Sequence, residues 1–251
     1  MTAILEDIVA EGERLLEQAA RADVPLRLLG GVAIRLQARD GELPPAFRRG
    51  YEDLDFITVK GGFAAVDGLL RDAGYEPQVA FNALNQRERM LFFDTAHDRQ
   101  VDVFVGSFRM CHAIPLSDRL AVEDRTLPLA DLLLTKLQII EVNEKDVRDT
   151  LALLHDHPLA DHDDGAVNAA RIAQLLAGDW GLWRTITANL RACADHVGDY
   201  DLNAEDREAL ADRIRTLLQR IEDEPKTRGW RLRAKIGERK RWYELPEEVA
   251  R

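Results

Sequence analysis

Apolar residues along this chain change their spacing several times, and each change marks an element. Ile4, Leu5, Ile8, Val9, Leu15, Leu16 and Ala19 recur at helical spacing over residues 4–21, and Arg21-Ala22-Asp23-Val24-Pro25 closes that helix. Leu26–Leu29 reads as a strand that runs into Gly30-Gly31 and then a helix start at Val32–Leu36. Across Glu52–Thr58 the period falls to two, so Asp53 and Asp55 share one face of a strand while Leu54 and Phe56 share the other. Phe63, Val66, Leu69 and Leu70 restore the helical period up to Gly74. Tyr75–Phe81 reads as a further strand, with a turn over Asn82–Arg87. Arg89–Asp94 and Val101–Val105 form a hairpin around Thr95–Gln100.

The second half is helical. Residues 129–140 are apolar on nearly every side, which predicts a buried helix. After a linker marked by Pro158 and Gly165, helices are expected over 166–177 and 182–197. A third carries the stripe Leu210, Ile214, Leu217, Leu218 and Ile221, with Asn203 as its N-cap and Pro225 as its stop. The expected architecture is α+β. A mixed sheet with flanking helices occupies residues 1–157, and a helical bundle occupies 165–251.

Composition narrows the class without naming a function. The chain has 251 residues, 46% hydrophobic and 31% charged, as in ordinary globular proteins. It lacks an apolar run long enough for a membrane span, and Met1–Asp7 lacks the basic start of a signal peptide, so a cytoplasmic protein without a membrane partner is expected. Cys111 and Cys193 have no metal-ligand spacing and are expected as reduced thiols. A net charge of −11 argues against broad adhesion to nucleic acid, although a local basic site remains compatible with it.

Candidate chemistry gathers on the acidic strand. Two carboxylates on one strand face repel unless something neutralises them, and Mg²⁺ suits such oxygen donors; a solvated edge strand is the plain alternative. Gly30-Gly31 between strand and helix exposes backbone N–H groups that can hold a phosphate. Asp102, flanked by Val101 and Val103, can supply a third carboxylate. Arg39, Arg48 and Arg49 lie in or beside the loop that precedes the acids. Lys136 sits in the apolar helix and must either snorkel outward or meet a negative group, while Asp146 and Asp149 share a helical face just beyond. The three histidines and four aspartates of residues 155–164 read as linker chemistry more than as a metal site. Residues 226–243 interleave basic side chains with Trp230, Trp242 and Tyr243. That segment suits either a nucleic-acid surface or a tail folded back on an acidic body.

Gly30-Gly31, Asp53-x-Asp55 and the later Asp102 together resemble the nucleotidyltransferase superfamily with the polymerase-β-like fold. Arg49-Gly50-Tyr51-Glu52-Asp53-Leu54-Asp55 is similar to the Arg-x-Thr-x-Asp-Ile-Asp run of the AbiEii-type toxin branch, and Glu144–Leu154 to the Arg-Asp-x-x-Asp-Leu run of the same branch. Tyr51 departs from the small hydroxyl residue of that pattern, and the glycines lack a following serine. The resemblance spans residues 20–155 and implies a fold, a reaction and a set of roles. A nucleoside triphosphate such as ATP would bind with Mg²⁺, or with Mn²⁺ in its place. Asp53, Asp55 and Asp102 would hold two metals, and Gly30, Gly31, Arg49 and Lys136 would meet the phosphates. Asp146 would partner Lys136, and Asp149 would be structural. The acceptor would be RNA, reached through residues 226–243, or a protein or small-molecule hydroxyl. A toxin would bring an antitoxin partner. A non-catalytic nucleotide-binding module, a glycosyltransferase and a helical adaptor are the rival readings.

Overall fold

The computed structural model describes residues 3–39 and 41–245. Asp40, expected in the loop before the acids, lies outside them. The chain divides into two compact units: Met1–Gln37, Arg49–Phe108 and Ala113–Pro128 form one, and Ala38–Arg48, Arg109–His112 and Leu129–Arg251 form the other. The division falls ahead of the 158–164 linker expected from the sequence.

In the first unit, helix α1 (Ile8–Arg21) precedes strand β1 (Leu26–Leu29), helix α2 (Gly30–Leu36) and strand β2 (Asp53–Thr58). Helix α3 (Phe63–Asp72), strand β3 (Glu76–Pro77), helix α4 (Val79–Asn85) and strands β4 (Arg89–Asp94) and β5 (Arg99–Val105) follow. Short strands β6 (Ser107–Arg109) and β7 (Ala113–Pro115) pair with each other. The five-stranded sheet runs β1-β2-β5-β4-β3; β2 and β5 are parallel and every other pair is antiparallel, which makes the sheet mixed, as the pattern predicts.

Leu54 and Phe56 are buried, as the alternation requires. Gly12 lets α1 lie close against them: a Cβ there would stand 3.2 Å from Leu28 Cδ1 and 3.3 Å from Leu54 Cδ2. Glu11, one residue earlier, is wholly buried and still ionised in character. Burial pushes its carboxyl upward, but hydrogen bonds from Arg14, Tyr75 and the Leu5 N–H hold it below the usual range. This network ties α1 to the residues between α3 and β3.

One expected strand is a helix. Tyr75–Phe81 yields only the two-residue β3, after which α4 begins at Val79. The cause is a tertiary contact: the Asn82 amide donates to Leu91 O at 3.0 Å and accepts from Leu91 N at 2.8 Å, matching the β4 edge as a strand would.

The second unit contains α5 (Leu129–Leu137), α6 (Glu144–Asp156), the two-residue parallel strands β8 (Leu159–Ala160) and β9 (Val167–Asn168), α7 (Ala169–Gly178), α8 (Trp180–His196), α9 (Ala204–Asp223) and α10 (Arg228–Ile236). Asn203 caps α9 as expected, its side chain accepting from Asp206 N at 2.8 Å. Leu210, Ile214, Leu217 and Ile221 are buried; each such side chain contributes about 1.5–3 kcal/mol. No helix among the described residues is long and apolar enough to cross a membrane.

The basic C-terminal segment folds back within this unit. Trp230 packs edge-on against Trp183 at 5.1 Å and Trp242 against Trp180 at 6.0 Å, while Trp242 Nε1 donates to Thr185 Oγ1 at 3.1 Å. Of the two readings of this segment, the folded-back tail describes Trp230 and Trp242, which are turned onto α8. Six cations, Arg228, Arg231, Lys235, Arg239, Lys240 and Arg241, stay exposed.

Candidate active site

The acidic strand is built as its alternation dictates. β2 and β5 are parallel with Asp55 directly beside Asp102 and Asp53 beside Gln100. Paired residues of neighbouring strands project from the same side of a sheet, so all three aspartates share one face. They differ in exposure: Asp53 is exposed, Asp55 half-buried and Asp102 buried.

The glycine turn adjoins the same place. Leu29 pairs with Asp55 across the β1–β2 ladder, and the next residue, Gly30, takes φ +71°, a conformation that costs an L side chain about 1–2 kcal/mol. A Cβ on Gly30 would lie 2.1 Å from Asp55 Oδ2. A Cβ on Gly31 would lie 2.1 Å from Arg49 Nη2 and 3.0 Å from Tyr51 Cδ1. Both glycines are therefore needed so that Asp55 and Arg49 can lie against the turn. The protein's own carboxylate and guanidinium occupy the Cβ positions of the two glycines. Arg49 is seated 4.7 Å above the Tyr51 ring, so the departure at position 51 supplies a platform for the motif arginine.

Asp102 is held by a residue that the sequence marks only as the start of a strand. Arg89 Nε lies 2.9 Å from Asp102 Oδ1 and 3.0 Å from Oδ2, and its Nη2 donates to Oδ2 as well. The guanidinium carbon stands 5.2 Å from the Phe104 ring centre and 5.9 Å from that of Phe81. Burial pushes the Asp102 carboxyl above its ordinary range; Arg89 acts in the opposite direction, and the Asp53 charge adds to the rise. The signal for Arg89 was its register. Leu91 pairs with Asp102, and Arg89, two residues away on β4, projects from the same face. Only the β4–β5 pairing reveals it.

Lys136, Asp146 and Asp149 come together in the second unit. Lys136 Nζ lies 2.9 Å from Asp149 Oδ2 and 3.3 Å from Asp146 Oδ1, so it meets negative groups instead of snorkelling. Asp149, read from the motif as structural, is the nearer and more deeply buried of the two. A cavity of about 390 Å³ in the same unit is lined by Glu144, Arg148 and Tyr200 among others; Lys136, Asp146 and Asp149 do not line it. His155, from the histidine and aspartate cluster of residues 155–164, sits between two carboxylates and an aromatic ring. Its two ring nitrogens each stand 3.8 Å from a carboxylate, Asp156 on one side and Asp206 on the other, and its ring packs 5.5 Å from Phe47.

Among the described residues, no three His, Cys, Asp or Glu side chains are grouped closely enough to hold a metal ion. Asp53 and Asp55 supply hard oxygen donors on an accessible strand face and fit one divalent cation. The three-carboxylate set does not fit, because Asp102 is buried and committed to Arg89.

No family model matches the chain, and no curated protein matches it. Among solved structures, it is similar to a STING-associated CdnE c-di-GMP synthase from Capnocytophaga granulosa, with 12% identity over 86% of this chain and 79% of that one, at a TM-score of 0.30. At that level the likeness carries no argument about the site, which rests on the register and contacts above.

Proposed function

We propose that the chain transfers a nucleoside monophosphate from a nucleoside triphosphate to a hydroxyl acceptor. The observation that carries this reading is the convergence of Gly30, Gly31, Arg49 and Asp55 at one turn, with Asp53 and Asp102 on the same sheet face. Asp53 and Asp55 would hold Mg²⁺, with Mn²⁺ as its substitute, and the ion when bound would supply Lewis-acid stabilisation of charge on the phosphates. Arg49, a fixed planar cation on Tyr51, would pair with phosphate oxygens of the nucleotide. In the second unit, Asp146 and Asp149 hold the Lys136 ammonium group in place, and a phosphate-binding role for this lysine rests on the motif alone. Nucleotide binding unchanged in Lys136→Met would remove it from the site.

Incubation with Mg²⁺, each α-labelled nucleoside triphosphate in turn and a cell extract identifies both nucleotide and acceptor, whether RNA, protein or small molecule. Asp53→Ala is expected to abolish labelling while leaving the circular dichroism spectrum unchanged; retained labelling overturns the assignment. The toxin role and the antitoxin partner of the AbiEii-type branch rest on the motif alone, and growth arrest on expression, absent in Asp53→Ala, tests them. A second reading, a nucleotide-binding module without chemistry, is favoured by the Arg89 contact that sequesters Asp102. Thermal stabilisation by nucleotide and Mg²⁺ without any labelled product distinguishes it.

A further inference from the structure

We propose that Arg89 stands where a second metal ion would, so that the carboxylate face takes a single divalent cation, on Asp53 and Asp55. The inference rests on the nucleotidyl-transfer reading and fixes the number of ions that the site holds. Arg89 engages both oxygens of Asp102, Nε at 2.9 Å from Oδ1 and 3.0 Å from Oδ2, in the forked geometry that makes arginine–carboxylate pairs strong. Both oxygens of Asp102, itself 3% exposed, are thereby occupied by the guanidinium. Phe104 and Phe81 hold the guanidinium at 5.2 Å and 5.9 Å, and the β4–β5 register aims it there from the backbone.

Arg89 is a positioning residue. It holds Asp102 fixed beside Asp53 and Asp55, in place of an ion that would have to be recruited from solution.

Mn²⁺ is the probe, counted by electron paramagnetic resonance on the full chain without nucleotide. Wild type is expected to bind one ion per chain, Asp53→Asn none, and Asp102→Asn still one. Arg89→Met, which keeps the stem between the phenylalanines and removes the charge, is expected to raise the count to two. Two ions in wild type overturn the inference and leave nucleotidyl transfer standing. A single ion in folded Arg89→Met also overturns it. No ion in wild type removes the metal-dependent reading along with it. Should Arg89→Met fail to fold, the wild-type and Asp102→Asn counts decide alone, because loss of the ion in Asp102→Asn refutes the proposal.

Discussion

Gly30→Ala is the sharpest test of how the turn and the acidic strand depend on each other. The backbone at Gly30 has φ +71°, so an alanine pays about 1–2 kcal/mol before any contact is considered. The new methyl would then sit 2.1 Å from Asp55 Oδ2 and 3.0 Å from its Cγ, which forces the carboxylate out of its rotamer at a further cost of about 0.5–1.5 kcal/mol. Gly61 supplies the control within the same unit: its φ is +89°, and nothing lies within 4 Å of a Cβ placed there. Gly61→Ala is expected to lose only the backbone share. Urea unfolding of Gly30→Ala, Gly61→Ala, Asp55→Ala and the Gly30→Ala/Asp55→Ala double variant measures the difference. The double variant should recover about 0.5–1.5 kcal/mol relative to additivity, because removing the carboxylate removes the clash. Equal losses at positions 30 and 61, with strict additivity between 30 and 55, would refute the claim that this glycine exists to admit Asp55.

Asp149→Asn should destabilise the chain by about 3–5 kcal/mol, since it strips a buried partner from Lys136, whereas the more exposed Asp146→Asn should lose about 1 kcal/mol. Chemical denaturation of the two variants side by side checks the order, and a larger loss at Asp146 contradicts it. The Asp156 carboxylate beside His155, helped by Asp206, raises the imidazole above its ordinary value of 6.5. A raised folded-state value means that the contribution of His155 to stability is fully present at pH below about 6.5 and is lost as the pH climbs through the raised value. Urea midpoints of wild type and His155→Gln from pH 5 to 9 should therefore converge at the alkaline end; a gap that widens with pH would reverse the sign.

Much of the sheet was readable because period two is a local property. β2 carries its acids on one face whatever lies beside it, and β4 and β5 announce themselves by alternation around a polar loop. Asn203 was readable as a cap for the same reason, since its partner is the Asp206 N–H three residues on. Features that depend on distant pairing were not. Val79-Ala80-Phe81 is apolar in a way compatible with strand or helix, and the choice was made by Asn82 finding Leu91. Arg89 became part of the candidate site only through the register of β4 on β5. The aromatic residues among the C-terminal cations were visible, but which way they point depended on Trp180 and Trp183, half a domain away in sequence. Lys136 shows the same limit: its burial was legible, while its preference for Asp149 over Asp146 required the packing of α5 against α6.

The side-chain amide of Asn82 has one more effect. On its outer margin, β4 offers Leu91 to Gln78 N and to both ends of that amide, while β1 at the opposite margin is bridged at Leu28 by Arg125 and Leu127. A foreign segment seeking to zip onto the sheet would meet occupied hydrogen-bonding groups at these central positions of both rims. An Asn82→Ala chain would lose that seal on one side, and its first symptom would be clumping during expression instead of weaker chemistry.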